Sequence, residues 1–153
     1  MYFEDVHVGL VRTTGTYEMT REEILAFASE FDPQPFHLDE EAAKRSVFGG
    51  LCASGWHTAS VMMHLQVTSW ISREGSMGSP GFDDLRWLRP VRPGDVLSVR
   101  NTCIEVTPSR SRPDKGSARF RAEVLNQNGE VVLDATLIGM YRRREPAKAN
   151  GEN

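Results

Sequence analysis

The pattern of hydrophobic and polar positions divides the chain into a helical first half and a strand-rich second half. Residues 20–31 carry an apolar stripe of helical period behind a T-x-x-E capping-box pattern, so we expect a helix that ends before Pro33. Residues 11–19 are rich in Thr, Val and Tyr and favour a strand. Residues 39–46 have acids at their start and bases at their end, which predicts a short helix.

A segment without any charged residue follows, from position 46 to 72. Gly, Ser, Thr, Gln and two His interrupt it, so no apolar stretch approaches the ~20 residues that a membrane span requires. We therefore predict a glycine-rich loop over 49–55 and then a long helix, from about 56 to 72, that is buried on nearly all sides of a domain.

The rest of the chain predicts an antiparallel meander with a hairpin turn at Asn128-Gly129. The expected strands are 82–91, 96–106, 118–125 and 130–143. A sheet curled around a single apolar helix is the economical way to bury that helix. The predicted fold class is therefore α+β, with one domain over residues 1–144 and a disordered tail over 145–153.

Composition and charge narrow the class of protein. The chain has 153 residues and a net charge of −3, which argues against a nucleic-acid binder. Its two cysteines, Cys52 and Cys103, show no metal-finger spacing and fit a reducing compartment better than a disulfide framework. The first residues lack the basic start and apolar run of a signal peptide. These features predict a cytoplasmic protein with neither a membrane nor a nucleic-acid partner.

The segment 31-FDPQPFHLDEEAA-43 is the first candidate for chemistry. Asp32 and His37 stand five residues apart, and we expect the segment between them to be non-helical because Pro33 and Pro35 fix φ near −65° and stiffen the chain. A stiff loop can hold an acid and an imidazole in a set relation, as proton transfer over about 3 Å requires. The carboxylate could take a proton from a shared water while the imidazole orients that water or handles its second proton.

Other interpretations of these residues stay open. Aspartate before proline often ends a helix or opens a turn, and a single histidine is usually only a hydrogen-bonding residue. A metal site is a weaker hypothesis, because neither His37 with Asp39 nor His57 with His64 matches a standard ligand set. His57 and His64 share a helix face, either as polar core contacts or as part of a pocket wall.

Gly55 lies at the start of the long predicted helix and is the second candidate. The first N–H groups of a helix lack internal partners and carry the positive end of the dipole, so they could stabilise a developing oxyanion. Glycine would let a substrate approach closely. The alternative is a glycine needed only for the corner between loop and helix.

The arginines form the third candidate. A cluster of basic residues could bind the phosphates of a nucleotide-like carrier, or it could form a solvated face. The residues concerned are Arg86, Arg89, Arg92, Arg110, Arg112 and Lys115.

Beyond these patterns, the order D-P-Q-P-F-H-L-D-E-E-A-A and then G-G-L-C-A-S-G-W-H-T resembles the MaoC-like dehydratases, which include the (R)-specific enoyl-CoA hydratases. The later 85-LRWLRPVRPGD-95 is also similar, and the resemblance runs from about residue 3 to 143. It implies a hot-dog fold, at least a homodimer with acyl-CoA tunnels near the interface, and a role in fatty acid metabolism. The implied reaction is reversible addition of water to a 2-enoyl-CoA, which gives the (R)-3-hydroxyacyl-CoA without a metal or redox cofactor.

Carried over by position, the resemblance makes Asp32 and His37 the catalytic pair and the N–H of Gly55 the oxyanion donor. The candidate substrate contacts are Gln34, Pro35, Phe36, Ser54, Trp56, His57, Arg86 and Trp87. The chain departs from the family at Gln34, where many members have Asn, and at Met63, where the well-known hydratases have Ser. A polar contact to the catalytic pair is therefore missing or comes from another residue, for which His57 is the candidate.

Two other functions remain possible from the sequence. One is a hot-dog thioesterase, although such enzymes usually carry an acid on or near the central helix, and the predicted helix here has no carboxylate. The other is a non-catalytic subunit that binds acyl thioesters.

Overall fold

The computed structural model describes residues 1–146, so the predicted tail from 147 onward lies outside the described residues. A short 3-10 helix, Phe3–Asp5, comes first. The helices are α1 (Arg21–Phe31), α2 (Pro35–Leu38), α3 (Glu40–Lys44) and α4 (Gly55–Ser69). The strands are β1 (Val11–Thr13), β2 (Tyr17–Glu18), β3 (Gly81–Trp87), β4 (Val96–Pro108), β5 (Lys115–Leu125) and β6 (Val131–Arg142).

The strands form an antiparallel sheet in the order β1-β4-β5-β6-β3, with β2 paired to β4. Along the long central strands, buried and exposed side chains alternate as their sequences predict. One face of the sheet packs on the core, and the other faces solvent. Leu133 and Val124 face one apolar cluster with Met62 of α4, while Arg121 and Asp134 pair at 2.8 Å on the outer face. The predicted α+β fold, an antiparallel sheet around a central helix, is confirmed.

Two predicted strands differ from the observed ones. Residues 11–19 form β1 and β2 rather than one strand, with a break around Gly15, although both pieces pair with β4. The strand expected over 82–91 ends at Trp87, and the next residues lead through two prolines, which cannot donate to a sheet. Leu88 keeps one contact with the sheet, since its N–H donates to the Val132 carbonyl at 2.9 Å.

The interval between Asp32 and His37 contains a helix, so the prediction of a non-helical loop was wrong. α2 begins at Pro35, and proline is well tolerated at the first helical position because the N–H that it lacks has no partner there anyway. Asp32 does end α1, as the Asp-Pro sequence predicted, and Thr20 caps its start by accepting from the Glu23 N–H at 3.3 Å.

α4 was expected to be buried on nearly all sides, and in the single chain it is not. The sheet covers only one side of the helix. Trp56 is 59% exposed and Val67 is 50% exposed, and the smaller polar residues Ser60 and His64 lie on the same open side. The lack of charge along this helix therefore does not reflect full burial inside one chain. Over residues 1–146 no helix combines the length and hydropathy needed to cross a membrane.

Candidate active site

Asp32 and His37 are brought together at the junction of α1 and α2. The distance from His37 Nε2 to Asp32 Oδ2 is 3.4 Å, and their side chains are 7% and 17% exposed. The turn between them is held by two backbone hydrogen bonds: the Gln34 N–H donates to the Asp32 carbonyl at 2.7 Å, and the His37 N–H to the Gln34 carbonyl at 3.0 Å. The short connection places acid and imidazole side by side, at a distance that suits proton transfer.

The orientation of the His37 ring follows from its second nitrogen. Nδ1 lies 2.7 Å from the carbonyl oxygen of Cys52, and a carbonyl can only accept, so Nδ1 carries the hydrogen. In the neutral ring Nε2 then presents its lone pair towards the Asp32 carboxylate. Two acceptors face each other, and a water or hydroxyl group that donates to both is the natural occupant of the space beside them.

Two side chains hold the Asp32 carboxylate. The Ser54 hydroxyl donates to Oδ2 at 2.7 Å, and the Gln34 amide donates to Oδ1 at 2.6 Å. Burial by itself would raise the pKa of Asp32, but the hydrogen bonds from Ser54 and Gln34 and the charge that His37 can carry together hold that pKa below its ordinary value. Asp32 is therefore ionised at neutral pH and available as a base.

The amino terminus of α4 lies beside this pair. α4 begins at Gly55, and Ser54 is its N-cap, accepting from the Trp56 N–H at 3.3 Å. No acceptor for the Gly55 N–H is found among residues 1–146, so this group remains available to a ligand. The helix dipole adds positive potential at the same point.

Gly55 is also required by its packing, a reason that the sequence did not reveal. The Trp87 indole lies across the glycine and donates from Nε1 to the Gly55 carbonyl at 2.8 Å. A Cβ at position 55 would lie 2.4 Å from the indole Cε2. The lack of a side chain at position 55 thus leaves the N–H accessible and also allows the indole ring to approach closely.

A cavity of about 440 Å³ joins these features. The catalytic candidates Asp32, His37 and Gly55 lie in one wall. The remaining wall is mainly aromatic and aliphatic, formed by Phe36, Phe48, Cys52, Ala53, Trp56, Thr58, Trp87, Leu88, Pro90 and Val91, with Gln34 and Arg89 as further polar members. Apolar walls with a few converging polar groups are typical of a small-molecule site.

Four of the predicted substrate contacts lie elsewhere. Pro35 and Arg86 do not line the cavity, and neither do Ser54 and His57. The His57 ring stacks on Phe27 at 4.7 Å, and burial lowers its pKa. The polar contact for which His57 was the candidate comes instead from Ser54, which does not line the cavity and donates to Asp32.

Met63, the second position at which the chain departs from the family, does not line this cavity. Met63 lines a separate apolar cavity of about 200 Å³ on the open side of α4, together with Val67 and Leu137. Met63 therefore does not replace a polar group at the Asp32 carboxylate.

The arginines divide into groups with different surroundings. Arg92 donates to the carbonyls of Phe48, Gly50 and Leu51 and so stabilises the loop that leads into α4. Its guanidinium therefore has a structural role. Arg89, in the cavity wall, lies 3.3 Å from Glu130.

The basic residues of the β4–β5 loop belong to the other end of the sheet. Trp87 pairs with Leu133 on β6, whereas Gly116, next to that loop, pairs with Tyr141. Eight residues of strand separate the two pairings, or about 26 Å at roughly 3.3 Å per residue. Arg110 and Arg112 therefore do not share a site with the arginines that follow β3.

Several wall residues had not been singled out from the sequence. Phe48, Thr58, Leu88, Pro90 and Val91 come from loops or from a helix without distinctive pattern, and Cys52 contributes to the site through its main-chain carbonyl. Side-chain identity carries no signal for a main-chain contact, so only the tertiary structure could identify it. Within residues 1–146 no group of three or more His, Cys, Asp or Glu side chains could hold a metal ion.

Together these features define a hot-dog protein with an acid–imidazole pair beside the amino terminus of its central helix. Comparison with known families agrees with this class. The chain belongs to the MaoC-like dehydratase family, since the model of the MaoC like domain matches residues 6–124. The resemblance noted in the sequence is thereby confirmed.

Individual relatives cover almost the whole chain. A crystal structure of the MaoC-like dehydratase from Rhodospirillum rubrum is 46% identical, covers 95% of this chain and 99% of its own, and superposes with a TM-score of 0.90. The 3-hydroxybutyryl-CoA dehydratase of Methylorubrum extorquens is 31% identical over 96% of this chain and 88% of its own length. The uncharacterized protein YdeM of Bacillus subtilis is 26% identical over 94% of this chain and its full length. The relatives support an enzyme of the hydratase kind.

Proposed function

We propose that this protein is a hydro-lyase that reversibly adds water to a 2-enoyl-CoA thioester and forms the (R)-3-hydroxyacyl-CoA. The observation that carries the proposal is the ionised Asp32 carboxylate 3.4 Å from His37 Nε2, beside the N–H of Gly55 at the start of α4. The related protein of Methylorubrum extorquens, named a 3-hydroxybutyryl-CoA dehydratase, supports a short acyl thioester as the substrate.

The proposed reaction uses three groups that line the cavity: the Gly55 N–H, Asp32 and His37. The thioester carbonyl accepts from the Gly55 N–H, where the dipole of α4 stabilises the negative charge that develops on the oxygen. A water held by Asp32 and His37 attacks C3. Its O–H bond breaks as the new C–O bond forms, and the electrons of the double bond move towards C2 and the thioester oxygen.

Proton balance follows from the starting state of the pair. Asp32 is ionised and the Nδ1–H of His37 is engaged by the Cys52 carbonyl, so the pair can accept a proton at the outset. It takes one proton from the water, and that proton is returned to C2. Because one pair of side chains performs both transfers, water oxygen and proton add to the same face of the double bond.

The test uses crotonyl-CoA, with branched and dicarboxylic enoyl-CoAs in the same panel, and follows the loss of enoyl absorbance. The product is then analysed for its configuration at C3. Turnover with an (R) product is expected. A folded protein that hydrates none of these thioesters would refute the proposal.

Asp32→Asn should reduce kcat by at least ~10²-fold while preserving the fold, since general acid–base groups contribute about 10²–10⁴-fold. Asp114→Asn, at the exposed far end of the sheet, is the matched control and should leave activity unchanged. Full activity of Asp32→Asn would remove this residue from the mechanism.

The two alternative functions have distinct readouts in the same experiments. A thioesterase would release free thiol from acyl-CoA, and a binding subunit would bind the thioester without turnover. α4 contains no carboxylate between Gly55 and Ser69, and the carboxylate at its amino terminus comes from the α1–α2 junction. This arrangement favours hydration over thioester hydrolysis.

A further inference from the structure

Ser54 is fully buried, and both functions of its hydroxyl are in use. Oγ donates to Asp32 Oδ2 at 2.7 Å and accepts from the Trp56 N–H at 3.3 Å. A hydroxyl that donates in one direction and accepts in another has a fixed hydrogen position. Ser54 thus connects the carboxylate directly to the first turn of α4.

We propose that Ser54 is a positioning residue that holds the Asp32 carboxylate at a fixed position relative to the amino terminus of α4. This inference rests on the proposed function, in which these two groups act on the same substrate. Ser54 does not line the cavity, so its hydroxyl acts on the reaction through Asp32.

The geometry at the carboxylate supports this role. Oδ2 is the oxygen that faces His37 Nε2, and it is the same oxygen that Ser54 contacts, while Gln34 holds Oδ1. With a separate donor on each oxygen, the carboxylate cannot rotate without breaking a hydrogen bond to an ionised group, which is among the stronger kinds. The plane of the base is therefore fixed relative to the imidazole.

The second contact of Ser54 fixes the base relative to the oxyanion position. Because the same Oγ caps α4, one side chain joins the carboxylate to the helix terminus. Proton transfer and carbonyl polarisation both depend on placement within a fraction of an ångström, so a direct link between the two groups has a clear use.

Two substitutions separate the capping role from the positioning role. Ser54→Ala removes both, whereas Ser54→Gly removes the hydroxyl at a position where glycine still caps well. Thr20→Ala is the matched control, since Thr20 caps α1 by the same kind of contact but its hydroxyl lies at the opposite end of that helix from Asp32.

Both Ser54 variants should lose about tenfold to a hundredfold in kcat/KM, the range for one hydrogen bond to a charged group. The acid limb of the kcat/KM profile should move to higher pH in both, because the carboxylate loses a donor that favours its ionised form. Thr20→Ala should lower thermal stability without moving that limb. Ser54 variants with an unmoved limb and a loss no larger than that of Thr20→Ala would overturn the inference.

A measurement without turnover keeps this test independent of the proposed reaction. The carboxyl carbon of Asp32 can be titrated by NMR in the wild type and in Ser54→Gly. A titration at higher pH in the variant supports the inference even if no enoyl-CoA is hydrated. Identical titrations in the two proteins refute it, whatever the substrate.

Discussion

At the scale of single residues, the site depends on contacts that fit only one side chain. Gly55 is the clearest case, since it lines the cavity and an added Cβ would clash with the Trp87 indole. Ser54 and Gln34 are a second case, because each supplies a donor to a different oxygen of Asp32. The proposed chemistry of Asp32 and His37 therefore depends on neighbouring residues that do not themselves react.

Gly55→Ala should reduce both stability and activity. The new methyl group would lie 2.4 Å from the indole, so Trp87 or the start of α4 must move, and overpacking of this kind costs about 1–3 kcal/mol. Thermal unfolding and crotonyl-CoA turnover measure the two effects. Combining the change with Trp87→Leu should restore part of the stability, and a purely additive double variant would contradict the proposed clash.

His57 should make stability depend on pH. Its ring is buried against Phe27, and burial lowers its pKa, so the folded state favours the neutral form. Its contribution is present above the unfolded-state pKa of about 6.5 and is lost as pH falls towards the lowered folded-state value, because only the unfolded chain takes up the proton.

The test is urea unfolding of the wild type and His57→Phe at pH 8, 6.5 and 5.5. The variant should lose less stability than the wild type over the acid part of this range, since phenylalanine can stack on Phe27 without titrating. Equal losses in the two proteins would show that His57 does not control this dependence.

At the scale of elements, α4 supplies both the N–H of Gly55, the proposed oxyanion donor, and part of the cavity wall. Of its residues, only Gly55, Trp56 and Thr58 line the wall, so the cavity follows the helix for about 4.5 Å at 1.5 Å per residue. The next inward residues, Val61 and Met62, are buried in the core cluster. The helix thus closes the cavity after about one turn.

We therefore expect the enzyme to prefer short acyl chains. The kcat/KM value should be highest for crotonyl-CoA and should fall as the chain lengthens, because a longer acyl group meets the wall at Thr58, with Met62 buried in the core one turn further along α4. Met62→Ala should improve turnover of the longer thioesters relative to crotonyl-CoA. An unchanged chain-length profile in Met62→Ala would exclude Met62 as the limit.

At the scale of the whole molecule, the open side of α4 points to a second copy of the chain. We propose a homodimer in which this side is covered, since Val67 is half exposed there and Met63 lines an apolar cavity beside β6. Val67→Glu should shift the protein towards monomer, because a charge would be buried in the interface. Light scattering coupled to size exclusion measures the mass.

Val47 provides the matched control for this experiment. It is 96% exposed and lies in the loop between α3 and α4, outside α4 itself. Val47→Glu should leave the mass unchanged. A wild-type protein that is monomeric at micromolar concentration would contradict the dimer.

Much of the architecture followed from local pattern. The capped start of α1, its end before Pro33, the alternation of β5 and the Asn128-Gly129 turn are each specified by residues close together in the chain. One error was local, since Pro35 begins α2 rather than excluding a helix, and the others arose where distant partners decide the outcome. The break near Gly15 and the open side of α4 depend on how the sheet curves around the helix, which no local pattern encodes.

The sequence by itself determined which groups could react: an acid and an imidazole five residues apart, a glycine at a helix start, and a resemblance that named a family. The spacing of residues along the chain and their backbone preferences act over short distances, so the local sequence is enough to specify them. The tertiary structure decided how these groups are held. The Cys52 carbonyl on His37, the Ser54 hydroxyl on Asp32 and the Trp87 ring on Gly55 are contacts between separate segments. Such contacts exist only once the core has packed, because burial brings those segments together.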